Sequence, residues 1–171
     1  MLGAGGCAIP AVRHNFRYVE LMSQDMPAVL VLPIDGVTRA RLVDSWGDAR
    51  DGGKRSHEGI DLFAPRNTPV RSTTEGVIEF KGMRGLGGRV VTVTGPGGYR
   101  HYYAHLEGWA DQAVGDWVEA GEVIGYVGNS GNASGTSTHL HYGIYAPFGG
   151  AINPYPLLRV EGGPVTKTTA G

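Results

Sequence analysis

The 171-residue chain reads as an all-β protein with little helix. Three observations carry that reading. Glycine is abundant: the 29 glycines make up about 17 % of the chain against a usual ~7 %. They sit between short apolar runs, where they supply turns and would weaken helix interiors. Several of those runs have strand character, with alternation or β-branched and aromatic enrichment. Finally, Val77-Ile78-Glu79-Phe80-Lys81-Gly82 and Val123-Ile124-Gly125-Tyr126-Val127-Gly128 share the pattern V-I-x-aromatic-x-G. Each follows a Gly/Glu pair and has a valine, Val70 or Val118, a few residues upstream. That echo is what a duplicated β-unit leaves behind.

Residues 1–30 form an N-terminal arm without a clean period, either partly disordered or the remnant of a lipoprotein signal. HNFRYVELMSQDM (14–26) fits a short helix or a loose arm. MLGAGGC places small and apolar residues before the sole cysteine, Cys7, which makes Cys7 a candidate lipid anchor. The stretch is too short for a whole signal peptide and lacks a preceding basic residue. A chance cysteine in the arm is the reading given more weight.

Residues 31–160 have the strand texture and are expected to be one domain. GVIEFKG (76–82) is a strand. GRVVTVTG (88–95) alternates and runs into Pro96-Gly97-Gly98, a turn signal. YRHYYAHL (99–106) is the return strand of that hairpin. EVIGYVG (122–128) and HLHYGIY (139–145) are further strands. Between them, GNSGNASGTST (128–138) has nothing apolar larger than alanine and reads as an exposed loop. Residues 161–171 read as a loose tail.

Bulk properties exclude several functions. Net charge is −1 and no Lys/Arg run occurs, so a nucleic-acid partner is not expected. No apolar run reaches the ~18 residues that span a bilayer. A lone cysteine forbids an internal disulfide. A monomer is the default expectation.

The chemistry lies in the histidines. In THLHYGI (138–144), His139 and His141 fall on one face of a strand, with Leu140 on the other. In KRSHEGIDLFAP, His57 and Asp61 are four apart, and Gly59 argues against a helix. In a straight strand the two would lie ~13 Å apart. To share an ion the chain must bend between them, and Gly59 would permit it. Glu58 reads as a surface charge. His57, Asp61 and one histidine of the pair would form a two-His, one-Asp ligand set suited to zinc. Three protein ligands leave the fourth position of a tetrahedral ion to water, as in a catalytic site. The other histidine of the pair would handle protons, and His105 of YYAHL could supply a second such group. His101 shares a face with His105 by alternation, is too far from the site to join it, and is expected to be solvated or hydrogen-bonded. His14 is set aside as solvated. Any one of these histidine patterns arises often by chance, whereas three in one small chain do so far less often.

These residues resemble the lysostaphin-type (LytM-like) zinc endopeptidases of bacterial peptidoglycan. The matching segments are SWGDARDGGKRSHEGIDLFAPRNTPV (45–70), EGVIEFKG (75–82), YRHYYAHL (99–106), VGDWVEAGEVIGYVGNSGN (114–132), THLHYGI (138–144) and INPYPLL (152–158). They run in the family's order over roughly residues 33–158. The resemblance implies the duplicated hybrid motif, an all-β fold of antiparallel sheets with a narrow groove. It implies His57, Asp61 and His141 as ligands of one Zn2+ and His105 and His139 as catalytic histidines. It implies hydrolysis of peptide cross-links in peptidoglycan through a metal-bound water, in the periplasm or outside the cell. Asn67 stands where the family more usually has glycine, a turn position asparagine tolerates. Loops 83–88 and 129–138 are expected in the groove's walls. Two rivals remain. One is a non-catalytic or autoinhibited wall-binding or amidase-activator module, with residues 1–44 over the groove. The other is a biotinyl- or lipoyl-type carrier, suggested by VGDWVEAGEVIGYVG and by Lys81 before Gly82-Met83, which would leave the ligand set unexplained.

Overall fold

The hairpin signals of the sequence are realised in one large antiparallel sheet. The computed structural model describes residues 10–159. Helix α1 (Pro10–Ser23) is followed by β1 (Ala49–Arg50), β2 (Arg55–Ser56), β3 (Ile60–Phe63), β4 (Pro69–Arg71), β5 (Gly76–Arg84) and β6 (Gly88–Thr94). Then come β7 (Arg100–Trp109), β8 (Trp117–Val118), β9 (Val123–Val127), β10 (His139–Tyr145), β11 (Ala151–Ile152) and α2 (Tyr155–Arg159). The sheet runs β11-β10-β7-β6-β5-β8; β3 also pairs with β10, and β9 joins β4 to β7. The Pro96-Gly97-Gly98 turn connects β6 to β7, with Gly97 and Gly98 at positive φ (66° and 77°). That backbone suits glycine and few other residues.

The echoed units are interleaved. Val118 pairs with Gly76 of the first unit's strand, and Val70 pairs with Gly125 of the second. Both valines are fully buried. Each unit's upstream valine therefore completes the other unit's sheet. Neither unit could bury its own strand alone.

Register assigns the two faces of the central strands. Val91, Tyr103 and Tyr142 lie opposite one another across β6, β7 and β10, as do Val93, His101 and Ile144. All six are buried, and this face makes the core with Leu62, Ile78 and Leu140. The other face carries the rows Thr92–Tyr102–Gly143 and Ala104–His141–Asp61. Alternation fails at His105, whose φ is +62°. The ladder to β6 shifts register between Arg89 and Val91, and that to β9 between Leu106 and Gly108. Such a bulge re-aims a side chain. His105 thereby leaves the core face, and Leu106 packs into the core in its stead. The expectation that His101 and His105 share a face is corrected accordingly.

HNFRYVELMSQDM is largely helical, as part of α1. Leu21 is buried, and Met22 and Gln24 lie against the Gly97-Gly98 turn. Arg17 stacks over Trp117 at 3.7 Å and reaches Glu75 and Glu119. Leu30 already belongs to the core. Cys7 and residues 161–171 lie outside the described residues. Among the described residues, no helix is long and apolar enough to cross a membrane.

Candidate active site

Asp61 and His141 are direct cross-strand partners on β3 and β10. Their shared row ends at Ala104, whose small side chain leaves room above the sheet. His57 precedes β3 and is held by a second ladder: its N–H donates to the Asp48 carbonyl, and its own carbonyl accepts from Gly47. The chain turns between His57 and Ile60, so side chains whose α-carbons would stand ~13 Å apart in a straight strand meet at their tips, with His57 Nε2 3.1 Å from Asp61 Oδ1. Gly59 is needed here for a reason different from the one expected. It does not adopt a left-handed backbone. A β-carbon on it would lie 2.5 Å from the Tyr142 carbonyl oxygen and 2.7 Å from the His141 ring. Close approach, not unusual φ, requires the glycine.

Three ligand atoms converge. His57 Nε2 lies 2.8 Å from His141 Nδ1, and both lie 3.1 Å from Asp61 Oδ1. A tetrahedral ion with bonds of about 2.0–2.1 Å separates its ligands by about 3.3 Å, so the triangle fits a small divalent cation. The donor chemistry agrees. His57 Nδ1 is 2.7 Å from the Ser45 carbonyl oxygen, which can only accept. The ring proton is therefore on Nδ1, and the Nε2 lone pair faces His141 and Asp61. The other carboxylate oxygen, Oδ2, takes the Arg50 guanidinium at 2.7 Å, leaving Oδ1 for the cluster. Burial works to raise the Asp61 pKa. The adjacent His141 and His57 rings outweigh it and hold the group well below the usual carboxylate range. Burial pushes the His141 pKa down, against the pull of Asp61. The three residues form a group that could hold a metal ion.

His105 and His139 flank the cluster. Their ring centroids are 5.0 Å apart, and His105 is 6.0 Å from His141. Each is pinned in the same way. His105 Nδ1–H donates to the Ser130 carbonyl and His139 Nδ1–H to the Ser137 carbonyl, both at 2.9 Å. In each case Nε2 remains available to the cleft. Burial chiefly depresses the His105 pKa, to about 4, with His139 and His141 adding to it and Ser130 opposing it. His105 is therefore neutral near pH 7.

The five residues line one open cleft of about 630 Å3. Leu86 and Gly87 of loop 83–88 and Asn132, Ala133 and Thr136 of loop 129–138 line it too, as the sequence suggested. Among the described residues, none before Arg50 does so. His101 is elsewhere, buried on the core face, with Nδ1 3.0 Å from Thr73 Oγ1 and 2.7 Å from the Tyr142 hydroxyl. Of its two expected fates, hydrogen bonding is the one observed. Lys81 donates to the Ala110 and Gln112 carbonyls and is not displayed at a tip as a carrier lysine would be.

Sequence reasoning did not single out Ser45, Arg50 or Ser130. Ser45 serves both ends of HEGID: its carbonyl orients His57, and its hydroxyl accepts from the Asp61 N–H at 3.1 Å. Contacts through backbone atoms leave no residue-type signal. Tyr102 and Tyr145 also line the cleft. Alternation from Ala104 and His141 would have found them.

An antiparallel β fold with a His2Asp group on the floor of an open groove, flanked by two pinned histidines, defines a class: a metallohydrolase-like scaffold. Comparison with known proteins narrows it. The pattern of peptidase family M23 matches residues 55–154, and the chain belongs to that family. It is 46% identical over 125 residues to the L-Ala–D-Glu endopeptidase of Bacillus subtilis (strain 168), covering 67% of this chain and 38% of that protein. It is 34% identical over 122 residues to lysostaphin of Staphylococcus simulans, covering 66% and 24%. Among solved structures, the catalytic domain of lysostaphin from Staphylococcus simulans superposes with a TM-score of 0.61 at 31% identity, covering 68% of this chain and 90% of that one. The chain spans well under half the length of these curated relatives.

Proposed function

We propose that the chain is a zinc-dependent endopeptidase that hydrolyses peptide bonds in the cross-links of peptidoglycan. The observation that carries this reading is the convergence of His57 Nε2, Asp61 Oδ1 and His141 Nδ1 within 3.1 Å of one another, beside two histidines with free Nε2 atoms. His57, Asp61 and His141 would hold the ion. When bound, zinc would polarise the scissile carbonyl and lower the pKa of a water molecule toward ~7. His105 and His139 would do the proton work. Each is fixed through Nδ1 and can accept a proton at Nε2, then return it to the leaving amine. Once protonated, their Nε2–H groups would also stabilise the developing oxyanion. Arg50 and Ser45 would orient Asp61 and His57.

The substrate class is supported by the relatives, whose names include an L-Ala–D-Glu endopeptidase and lysostaphin. We take the catalytic domain as residues 31–160, with 1–30 as an arm and 161–171 as a tail. A wall substrate would require the cell envelope or its exterior, with Cys7 as a candidate anchor. Mass spectrometry of peptidoglycan fragments tests the reading, with wild type beside His141→Ala and a chelated sample. Cuts by the untreated wild type alone are expected, and the fragment masses name the bond. Absence of cutting by a zinc-loaded wild type would favour a non-catalytic or activator module.

A further inference from the structure

Beyond the ligand cluster the groove floor continues into a second basin of about 560 Å3, sharing Tyr102 and Tyr145 with the first. Its floor is the sheet face that bears His141. On β10, Gly143 and then Tyr145 follow His141 on that face, and Arg100 of β7 lies directly opposite Tyr145. Four residues of strand place this point ~13 Å from His141. Across the basin, Arg84 ends β5, with its guanidinium 4.7 Å from the centre of the Phe80 ring. Phe80, Thr92 and Tyr102 form one cross-strand row between the two arginines.

The basin is positively charged and its cations are uncommitted. Arg84 and Arg100 are exposed. Among the described residues, neither takes part in an ion pair. One acid, Glu79, lines the same basin, and its carboxylate accepts from the Thr94 hydroxyl at 3.1 Å. The Tyr145 phenol is pushed up to about 12, chiefly by burial and with Glu58 and Tyr102 adding to it, while Arg100 and Arg84 pull the other way. Both guanidinium fields thus reach the Tyr145 hydroxyl, which stays a neutral donor at ordinary pH. Two guanidiniums beside neutral hydroxyl donors suit a planar anion, for which arginine has the matching fork.

We propose that this basin is a carboxylate-binding subsite of the groove, in which Arg84 and Arg100 receive a free carboxylate of the substrate peptide. An extended peptide advances about 3.3 Å per residue. The carboxylate would therefore sit about four residues along the peptide from the bond held at the ligand cluster. A D-Glu residue, as in the L-Ala–D-Glu bond named for the Bacillus subtilis relative, has two carboxyl groups and keeps one free when the chain continues through the other. The inference rests on the endopeptidase reading for the ligand's identity, though not for the basin's geometry. It makes the two arginines specificity determinants, acting on binding and not on the chemical step.

The test uses matched stem-peptide fragments, with carboxylates free or converted to carboxamides. Calorimetry measures their binding to zinc-loaded His105→Ala protein, chosen to prevent turnover, with and without Arg84→Gln and Arg100→Gln together. Binding about tenfold tighter for the free carboxylate is expected, with the preference abolished by the double substitution. Equal affinity for both peptides would overturn the subsite, and so would a preference that survives without the arginines. Cleavage of the same peptides by wild type is followed separately. Discrimination in binding without cleavage would sink the endopeptidase reading and leave the subsite standing. Cleavage of both peptides at equal kcat/KM, with equal binding, would do the reverse.

Discussion

His101 should make the protein acid-labile, and the size of the effect can be worked from its surroundings. It sits between Val93 and Ile144 in the core and has no solvent exposure. Nδ1 is satisfied by Thr73 and Tyr142, and Nε2 has no partner among the described residues. No carboxylate offsets the cost of a charge there, and burial drives the pKa down to about 3 from 6.5. The unfolded chain therefore takes up a proton below pH 6.5 that the folded chain refuses until about pH 3. Stability is fully present above pH 6.5 and is lost as pH falls through this window, at about 1.4 kcal/mol per pH unit. Between pH 7 and pH 5 the loss from this one group is about 2 kcal/mol. His101→Gln keeps a side chain able to bond Tyr142 but cannot titrate. Urea midpoints of the zinc-loaded protein, measured from pH 7.5 to 4.5, should fall less steeply for the variant than for wild type. Parallel curves would refute the argument, because His101 would then titrate alike in both states.

Other perturbations separate holding the ion from using it. His105→Ala and His139→Ala should each retain one zinc per chain while kcat/KM falls by about 10²–10⁴; metal analysis and kinetics on one preparation decide it, and loss of zinc would reassign the residue as a ligand. Arg50→Gln should leave the fold intact and weaken zinc about 10–100-fold, read by competition with a chelating dye. Unchanged affinity would mean that the 2.7 Å contact with Asp61 does no positioning. Gly59→Ala should cost about 1–3 kcal/mol in a urea titration, because its β-carbon collides with the Tyr142 carbonyl and the His141 ring; a neutral result would mean that the strand shifts freely.

The legible part of the fold was whatever repeats with period two or marks a turn. The β6–β7 hairpin could be read from GRVVTVTG and Pro96-Gly97-Gly98, and the shared face of His139 and His141 from strand alternation alone. The interleaving of the echoed units could not be read. Val70 and Val118 look like ordinary strand residues, and only pairing reveals that each completes the other unit's sheet. The irregularity at His105 was equally silent. A non-glycine residue at positive φ is uncommon, and nothing in YYAHL announces one. Ser45 was invisible because its service to His57 runs through a backbone carbonyl.

The histidines differ in the nitrogen they present because of what each ring's other nitrogen meets. His57, His105 and His139 all give their Nδ1 proton to a backbone carbonyl, which leaves Nε2 as the working atom. For His57 that atom points at Asp61 Oδ1 and His141 Nδ1, so its lone pair is spoken for by whatever cation joins them. For His105 and His139 it opens on the cleft, where a proton can come and go. His141 is reversed, presenting Nδ1 to the cluster. His101 has the same ring with no anion beside it, and is held neutral in the core. Residue type alone predicts a titratable ring. Strand register, one bulge and five carbonyl or hydroxyl partners decide which nitrogen each ring presents to the ligand cluster, to the cleft or to the core.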